Sequence, residues 1–200
     1  MVNCPFSPKW ITCPSFDMTD LPLVSIVTPS FNQAQFLEQT IQSVLGQDYP
    51  RLEYIIVDGA STDGSVDIIH RYADRLAWWV SEKDAGQAEA INKGFHRARG
   101  EIVAWLNSDD YYLPGAISVA VEAFHQNPEV GLVSGNVLAV DDTGRRLNVI
   151  RYDDWGLPDL MCFKIIGQPS VFMRRSVLEQ AGFLDTTYHL LLDHQHVIKH

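Results

Sequence analysis

Hydrophobic residues along the chain alternate between short continuous runs and helical spacing, beginning after Pro22. Four short apolar runs predict β-strands at residues 24–27, 54–57, 78–80 and 102–106. The segments between them predict helices at residues 34–45, 65–72 and 87–98. The run at 102–106 is apolar at every position, which is typical of a central parallel strand. Strands that alternate with helices predict an α/β fold with a largely parallel sheet and helices on both faces.

Turn residues and prolines set the predicted ends of several elements. Asn32 is predicted as the N-cap of the first helix, and Pro114 as the first-turn proline of a helix that runs to residue 126. The other predicted elements are a long strand at 130–140, a turn at 141–144, a hairpin return at 145–150, a strand at 170–173 and a helix at 176–181.

Length and composition fit one domain. The 200 residues are 46% hydrophobic and 20% charged, as expected of a single α/β domain with a sizeable core. We assign residues 1–22 to a loose N-terminal leader and residues 23–200 to the domain, with truncation at the C-terminus as an open alternative. The net charge of −10 argues against a nucleic-acid partner, because no basic surplus exists to neutralise phosphates. No apolar run approaches the ~20 residues that span a bilayer.

Polar and acidic residues follow three of the predicted strands at the point where each strand ends. These segments are residues 28–32, 58–64 and 107–110. In open α/β sheets, ligands bind outside the carboxyl ends of the strands. We therefore expect the three segments to meet at one edge of the sheet and to form the binding site.

Asp109 and Asp110 closely follow the strand at 102–106. Two adjacent carboxylates repel each other unless a cation or hydrogen-bond donors lie between them, and oxygen ligands suit Mg²⁺ or Mn²⁺. One interpretation is a metal site that neutralises a diphosphate. The other is a pair of side chains that caps the helix beginning at Pro114, and the spacing leaves both open.

Asp58 and Asp84 also allow two interpretations each. The Asp58 carboxylate could accept hydrogen bonds from a ribose hydroxyl or a base N–H, or it could close the turn at Gly59 by bonding to its own backbone. Taken alone, the turn interpretation is favoured. Asp84 could bind a hydroxyl where Gly86 lets the backbone approach a ligand, or it could lie at the ordinary start of a helix.

Four stretches of the chain, in their order and spacing, resemble the family 2 glycosyltransferases, of a bacterial polysaccharide or O-antigen type subgroup. They are VTPSFN at 27–32, IVDGASTDGS at 56–65, DAG at 84–86 with AINKG at 90–94, and WLNSDD at 105–110. The resemblance runs from about residue 24 to residue 193. It implies the nucleotide-diphospho-sugar transferase (GT-A) fold, a mostly parallel mixed sheet flanked by helices on both faces.

The resemblance implies which residues bind the donor, a nucleotide-diphospho-sugar with a UDP-sugar favoured. Pro29, Phe31 and Asn32 are similar to the loop that holds the nucleotide. Asp58 is similar to the carboxylate that recognises the nucleobase, and Asp84 joins the donor-binding set.

The resemblance also implies a cofactor and a catalytic residue. Residues 107–109 take the place of the family's Asp-x-Asp metal motif, with Asn107 standing where the family has the first Asp. Ligation of Mn²⁺ or Mg²⁺ is therefore expected at Asp109, with Asp110 assisting, while Asn107 contacts the donor. Asp193 matches the late Asp that serves the family as general base.

These roles imply an inverting sugar transfer to a glycan or lipid-linked acceptor in polysaccharide or glycan biosynthesis. The expected location is the cytoplasm or the inner face of the membrane, with peripheral membrane association left open. One alternative is a truncated or degenerate nucleotide-sugar-binding protein without transferase activity. A nucleotidyltransferase ranks lower, because residues 28–32 contain no Gly-rich, Arg-Lys phosphate loop.

Overall fold

The computed structural model describes residues 21–152 and 167–187, and the elements are numbered within those ranges. The strands are β1 (Val24–Ser30), β2 (Leu52–Asp58), β3 (Trp78–Ser81), β4 (Ile102–Trp105), β5 (Leu132–Val133), β6 (Val137–Val140), β7 (Arg146–Ile150) and β8 (Phe172–Arg174). The helices are α1 (Ala34–Leu45), α2 (Ser65–Tyr72), α3 (Gln87–Arg97), α4 (Ala116–Gln126) and α5 (Arg175–Ala181).

The main sheet of the described part is mixed and mostly parallel, as predicted. Its strand order is β3-β2-β1-β4-β8-β5. The first four of these strands run parallel, whereas β8 is antiparallel to both β4 and β5. Strands β6 and β7 form a separate two-stranded hairpin. Strands β2, β1 and β4 are adjacent and parallel. The chain therefore leaves all three at the same edge of the sheet.

Helices cover both faces of the sheet and bury two apolar clusters. On one face, Ile26 of β1 and Ile56 of β2 pack with α1, α2 and α4, which contribute residues such as Ile41. On the other face, Val27 and Ile55 pack with α3 and α5. Successive residues of a strand point to opposite faces, so runs that are apolar at every position can supply both clusters.

A buried acid links neighbouring segments at the amino end of the sheet. Glu53 near the start of β2 is 4% exposed. It accepts hydrogen bonds from Ser25 Oγ at 2.5 Å, from Arg99 N–H at 2.8 Å and from Arg99 Nε at 2.7 Å. Burial alone would raise the pKa of Glu53, but these hydrogen bonds and the charge of Arg99 hold it below the ordinary glutamate value.

The structure corrects the sequence predictions at the start of α4 and at residues 130–140. Pro114 lies before α4 rather than in its first turn, because Gly115 follows with a φ of 81° and the helix begins at Ala116. The single long strand expected at 130–140 is broken into β5 and β6. The break contains Gly135 and Asn136, which are both disfavoured in strands. On either side of it, β5 pairs with β8 and β6 pairs with β7.

Candidate functional site

The loops that follow β1, β2 and β4 meet at the carboxyl edge of the sheet, as the sequence predicted. Gly59 N–H donates to Ser30 O at 2.8 Å, which joins the loop after β2 to the end of β1. Leu106 N–H donates to Val27 O, also at 2.8 Å, and brings the loop after β4 alongside. Pairing of β1 with β4 ends at Val27, so Pro29 lies beyond the part of β1 that has a strand on both sides and its missing N–H is tolerated.

Asn32 ties the first two loops together. Its backbone has a φ of 52°, in the left-handed region that Asn tolerates better than most residues. Asn32 N–H donates to Ser61 Oγ at 2.8 Å, and Asn32 Oδ1 accepts from Thr62 N–H at 2.9 Å. The predicted N-cap role of Asn32 is wrong, since Gln33 holds that position and makes no side-chain cap bond.

Asp63 takes over the capping role and serves two helices. Its Oδ2 accepts from Ala34 N–H, the first residue of α1, at 2.8 Å. Its Oδ1 accepts from the N–H and the hydroxyl of Ser65, the first residue of α2, at 3.0 and 2.7 Å. Desolvation would raise the pKa of Asp63, but the hydrogen bonds from Ser65 and Ala34 lower it below the ordinary value. The loop after β2 is thereby fixed against the start of α1.

Asp58 is fully buried and is hydrogen-bonded by neighbouring serine residues. Its carboxylate accepts from Ser61 N–H at 2.9 Å, from Ser61 Oγ at 2.5 Å and from Ser81 Oγ at 2.7 Å. An ionised carboxyl group has about four acceptor sites, so these bonds leave little capacity for a ligand. The geometry agrees with the interpretation of Asp58 as the residue that closes the turn.

Phe31 and the half-buried Asp84 lie against the buried backbone of Gly59, beside Asp58. Phe31 is 62% exposed. A Cβ built on Gly59 would lie 3.2 Å from Phe31 Cδ2 and 3.0 Å from Asp84 Oδ2. Asp84 Oδ1 accepts from Gly86 N–H at 2.9 Å and shapes the start of α3. Gly59 has no room for a side chain, so the accessible surface is the exposed part of the Phe31 ring with the Asp84 carboxylate beside it. An aromatic face next to a carboxylate suits a flat ring with polar edges.

The segment after β4 is a turn anchored from two sides. Asp110 N–H donates to Asn107 O at 3.1 Å, and Thr40 Oγ1 of α1 lies 2.9 Å from Ser108 O and 2.7 Å from Asp110 O. From α3, Gln87 Nε2 donates to Asn107 Oδ1 at 2.7 Å. At the start of α4, Ile117 N–H donates to Gln47 Oε1 at 3.3 Å. In the described residues the Asp109 side chain makes no capping bond there.

The residues of this turn fit a divalent cation of the Mg²⁺ or Mn²⁺ type. Asp109 is exposed, Asp110 is half-buried, and within 21–152 and 167–187 the Asp109 side chain makes no hydrogen bond or ion pair. The described residues contain no group of three or more His, Cys, Asp or Glu side chains suited to a metal. Such a group is not required, because these ions are commonly held by one or two carboxylates together with water and substrate phosphates.

The structure thus brings together eight of the residues expected from the sequence: Pro29, Phe31, Asn32, Asp58, Asp84, Asn107, Asp109 and Asp110. Asp193, the expected general base, lies outside the described residues. Ser61, Ser81, Asp63 and Gln87 were not predicted as site residues. Ser61 follows Asp58 by three residues, a spacing that signals a turn bond, but the partners Ser81 and Gln87 come from other loops.

A mostly parallel α/β sheet with polar loops and acids at its carboxyl edge defines a class of proteins that bind their ligands at this edge. Among solved structures, the chain resembles the mannosyltransferase PcManGT from Pyrobaculum calidifontis in complex with GDP-Man and Mn²⁺. The TM-score is 0.68 at 27% identity, covering 90% of this chain and 52% of that chain. It also shares the fold of S. aureus TarS 1-349 in complex with UDP-GlcNAc, with a TM-score of 0.74 at 19% identity, covering 88% of this chain and 52% of that chain.

The chain belongs to the family described as Glycosyl transferase family 2, whose model matches residues 25–187. It is 47% identical over 92 residues to a putative teichuronic acid biosynthesis glycosyltransferase, TuaG of Bacillus subtilis, covering 44% of this chain and 36% of that protein. It is 39% identical over 108 residues to an uncharacterized glycosyltransferase of Mycobacterium tuberculosis, covering 53% of this chain and 41% of the relative. The chain thus spans less than half the length of these two relatives.

The part of the chain that the structure describes contains no helix long and apolar enough to cross a membrane.

Proposed function

We propose that this chain carries the donor-binding and catalytic part of an inverting glycosyltransferase that uses a nucleotide-diphospho-sugar. The observation that carries the proposal is the meeting of three features at one edge: the exposed ring of Phe31, the Asp84 carboxylate beside it, and the turn with Asn107 and Asp109. Together they offer a surface for a base, an acceptor for its polar edge and ligands for a diphosphate.

The base of the donor would stack on the exposed face of Phe31, with its polar edge toward Asp84. Aromatic faces stack on flat rings, and a carboxylate accepts from a base N–H or a ribose hydroxyl. We favour a UDP-sugar. Asp58 would support this binding surface mainly by holding Ser61 and Ser81, which fixes the loop that carries Gly59.

Asp109 would hold a divalent cation, with Asp110 assisting and Asn107 contacting the donor. When bound, Mn²⁺ or Mg²⁺ neutralises the negative charge that develops on the departing diphosphate. The exposed carboxylate of Asp109 and the rigid turn around it support this role.

Asp193 would act as the general base. It would take the proton from an acceptor hydroxyl while the acceptor oxygen forms a bond to the anomeric carbon. The bond from that carbon to the diphosphate breaks on the opposite side, and its electron pair leaves with the nucleoside diphosphate. General-base assistance contributes roughly 10²- to 10⁴-fold in rate. We expect Asp193→Asn to abolish transfer and to leave the donor dissociation constant unchanged, whereas equal loss of both would assign Asp193 a structural role.

For the acceptor we propose a glycan or a lipid-linked saccharide in polysaccharide biosynthesis. The support is the similarity to TuaG, whose name places it in teichuronic acid biosynthesis. Peripheral attachment to a membrane would follow from a lipid-linked acceptor. A nucleotide-sugar-binding protein without transferase activity is the second candidate, favoured if Asp193→Asn and the parent chain are equally inactive while both bind donor.

The deciding experiment is a thermal-shift screen of UDP-, GDP- and dTDP-sugars with and without Mn²⁺. A ligand that binds only the folded state raises its apparent stability, so we expect one nucleotide class to raise Tm only when Mn²⁺ is present. Asp109→Ala should lose the Mn²⁺-dependent part of that shift. Asp142→Ala, an exposed acid in the hairpin turn, is the matched control and should keep it. No shift with any nucleotide would contradict the proposal.

A further inference from the structure

Two amide side chains meet between α3 and the turn after β4. Gln87 Nε2 donates to Asn107 Oδ1 at 2.7 Å. An Asn amide has one acceptor oxygen and one donor nitrogen with two N–H groups. The oxygen of Asn107 is therefore engaged by Gln87, while its Nδ2 makes no hydrogen bond to any residue in the described ranges.

The direction of this bond decides which ligand Asn107 can take. An amide oxygen is a ligand for a hard cation, whereas an amide nitrogen donates to anions such as a diphosphate oxygen. Gln87 occupies one of the two lone pairs of the oxygen, whereas both N–H groups of the nitrogen remain unpaired within the described residues, so donation is the larger remaining capacity. Two residues further along the chain, Asp109 is exposed and can take the cation.

Both partners are carried by rigid backbone. Gln87 is the first residue of α3 and follows Gly86, whose φ of 124° and ψ of 179° are accessible to glycine alone. The loop before it is fixed by Ala85 N–H, which donates to Glu89 Oε2 at 2.7 Å. On the other side, Thr40 holds the turn that contains Asn107. A bond between two such fixed points sets the amide orientation before any ligand arrives.

We propose that Gln87 is a positioning residue that orients the Asn107 amide, so that Asn107 donates to the diphosphate of the donor and leaves cation ligation to Asp109. This inference rests on the proposed function. It explains how a chain with Asn at this place separates the two tasks, one residue for the anion and one for the cation. Gln87 acts through Asn107 and makes no contact with the donor itself.

The test is a double-mutant cycle of Gln87→Met and Asn107→Ala, measured as the dissociation constant of UDP by calorimetry at saturating Mg²⁺. GDP or dTDP replaces UDP if the thermal screen selects it. Gln87→Met keeps the length of the side chain and removes the hydrogen bond. We expect Gln87→Met to raise the dissociation constant about fivefold, because the hydrogen bond from Asn107 to the anion is misdirected. Asn107→Ala should raise it about tenfold, because that hydrogen bond is lost.

The coupling between the two sites is the decisive outcome. With Asn107 already changed to Ala, no amide remains to be oriented, so adding Gln87→Met should leave the dissociation constant unchanged. Equal weakening by Gln87→Met in both backgrounds would show that Gln87 contacts the ligand directly and would overturn the proposal. Thermal unfolding of each variant without ligand should match the parent, because both side chains lie at the surface or half-buried.

A second measurement follows the amide itself. In a ¹⁵N-labelled chain, the side-chain NH₂ signal that disappears in Asn107→Ala should shift when UDP and Mg²⁺ are added together. An unchanged signal in a complex that binds would overturn the inference and leave the proposed function standing. Failure of the parent chain to bind any nucleotide would overturn both, and the response of Asp109→Ala to Mn²⁺ tests the proposed function independently.

Discussion

Strand β2 carries a buried acid near each of its ends, and the two are held in opposite ways. Glu53 at the amino end is bonded by a cation, Arg99, as well as by Ser25. Asp58 at the carboxyl end is bonded only by the neutral donors Ser61 and Ser81. In the described residues Asp58 makes no ion pair, whereas Glu53 makes one at 2.7 Å.

The two edges of the sheet differ in whether their acids are paired within the protein. At the amino end, charge and hydrogen bonds are balanced within the protein. At the carboxyl edge, Asp84 and Asp109 lie near each other in the site, and neither forms an ion pair within the ranges described. Uncompensated acids favour the binding of a cation. We therefore expect changes at the amino end to affect stability and changes at the carboxyl edge to affect binding.

The largest effect is expected from Glu53→Ala. In this variant the Arg99 guanidinium can still be solvated. Ser25 Oγ and Arg99 N–H, however, lose the ionised carboxylate of Glu53, which is 4% exposed, as their acceptor. Hydrogen bonds to a charged group contribute about 1.5–3 kcal/mol, so the free energy of unfolding should fall by about 3 kcal/mol. Urea denaturation measures this loss. Donor affinity of the folded variant should equal that of the parent. A change in affinity at unchanged stability would contradict the assignment of Glu53 to stability rather than binding.

Asp58→Asn should have a smaller effect on stability and an additional effect on binding. The amide nitrogen would face at least one of the three donors from Ser61 and Ser81, which leaves that donor unpaired at a loss of about 2 kcal/mol. Ser81→Ala removes one donor and keeps the carboxylate, so it should lose about 1 kcal/mol. If Asp58→Asn leaves both Tm and donor affinity unchanged, the carboxylate does not organise the loop that bears Gly59.

The pH dependence of stability should distinguish the two ends further. The folded-state pKa of Glu53 lies below its ordinary value of 4.5, so its contribution is complete above that pH and is lost as the pH falls through the lowered value. The stability difference between the parent and Glu53→Gln should shrink as the pH is lowered from 6 to 3. Asp63 titrates in both proteins and cancels in this difference. A difference that is constant with pH would contradict the role of the ionised form.

The smallest effect is expected at Ala60, in the loop between Asp58 and Ser61. Its φ of 64° lies in the left-handed region, which disfavours any residue with a Cβ by about 1 kcal/mol. Glycine relieves this strain but loses more entropy on folding. Ala60→Gly should therefore gain about 0.5 kcal/mol, while Ala60→Val should lose about 1 kcal/mol or more. Thermal unfolding measures both, and a loss of stability in Ala60→Gly would contradict the strain.

Much of the site could be predicted from the sequence because its residues follow recognisable strands. The apolar runs before Asn32, Asp58 and Asn107 were clear, and parallel strands bring their ends to one edge. The strand break after Val133 was missed. Hydrophobic spacing alone does not show that β5 and β6 pair with different strands.

The sequence by itself determined which elements form and in what order, since the period of hydrophobic positions is a local property. It also determined the set of acids that follows the strands. The tertiary structure decided what each acid does, because the partners lie far apart in the chain. Asp63 meets Ala34, Asp58 meets Ser81 and Gln87 meets Asn107 only when the strands are in register. The same packing leaves Glu53 paired with Arg99 and Asp109 open to a ligand.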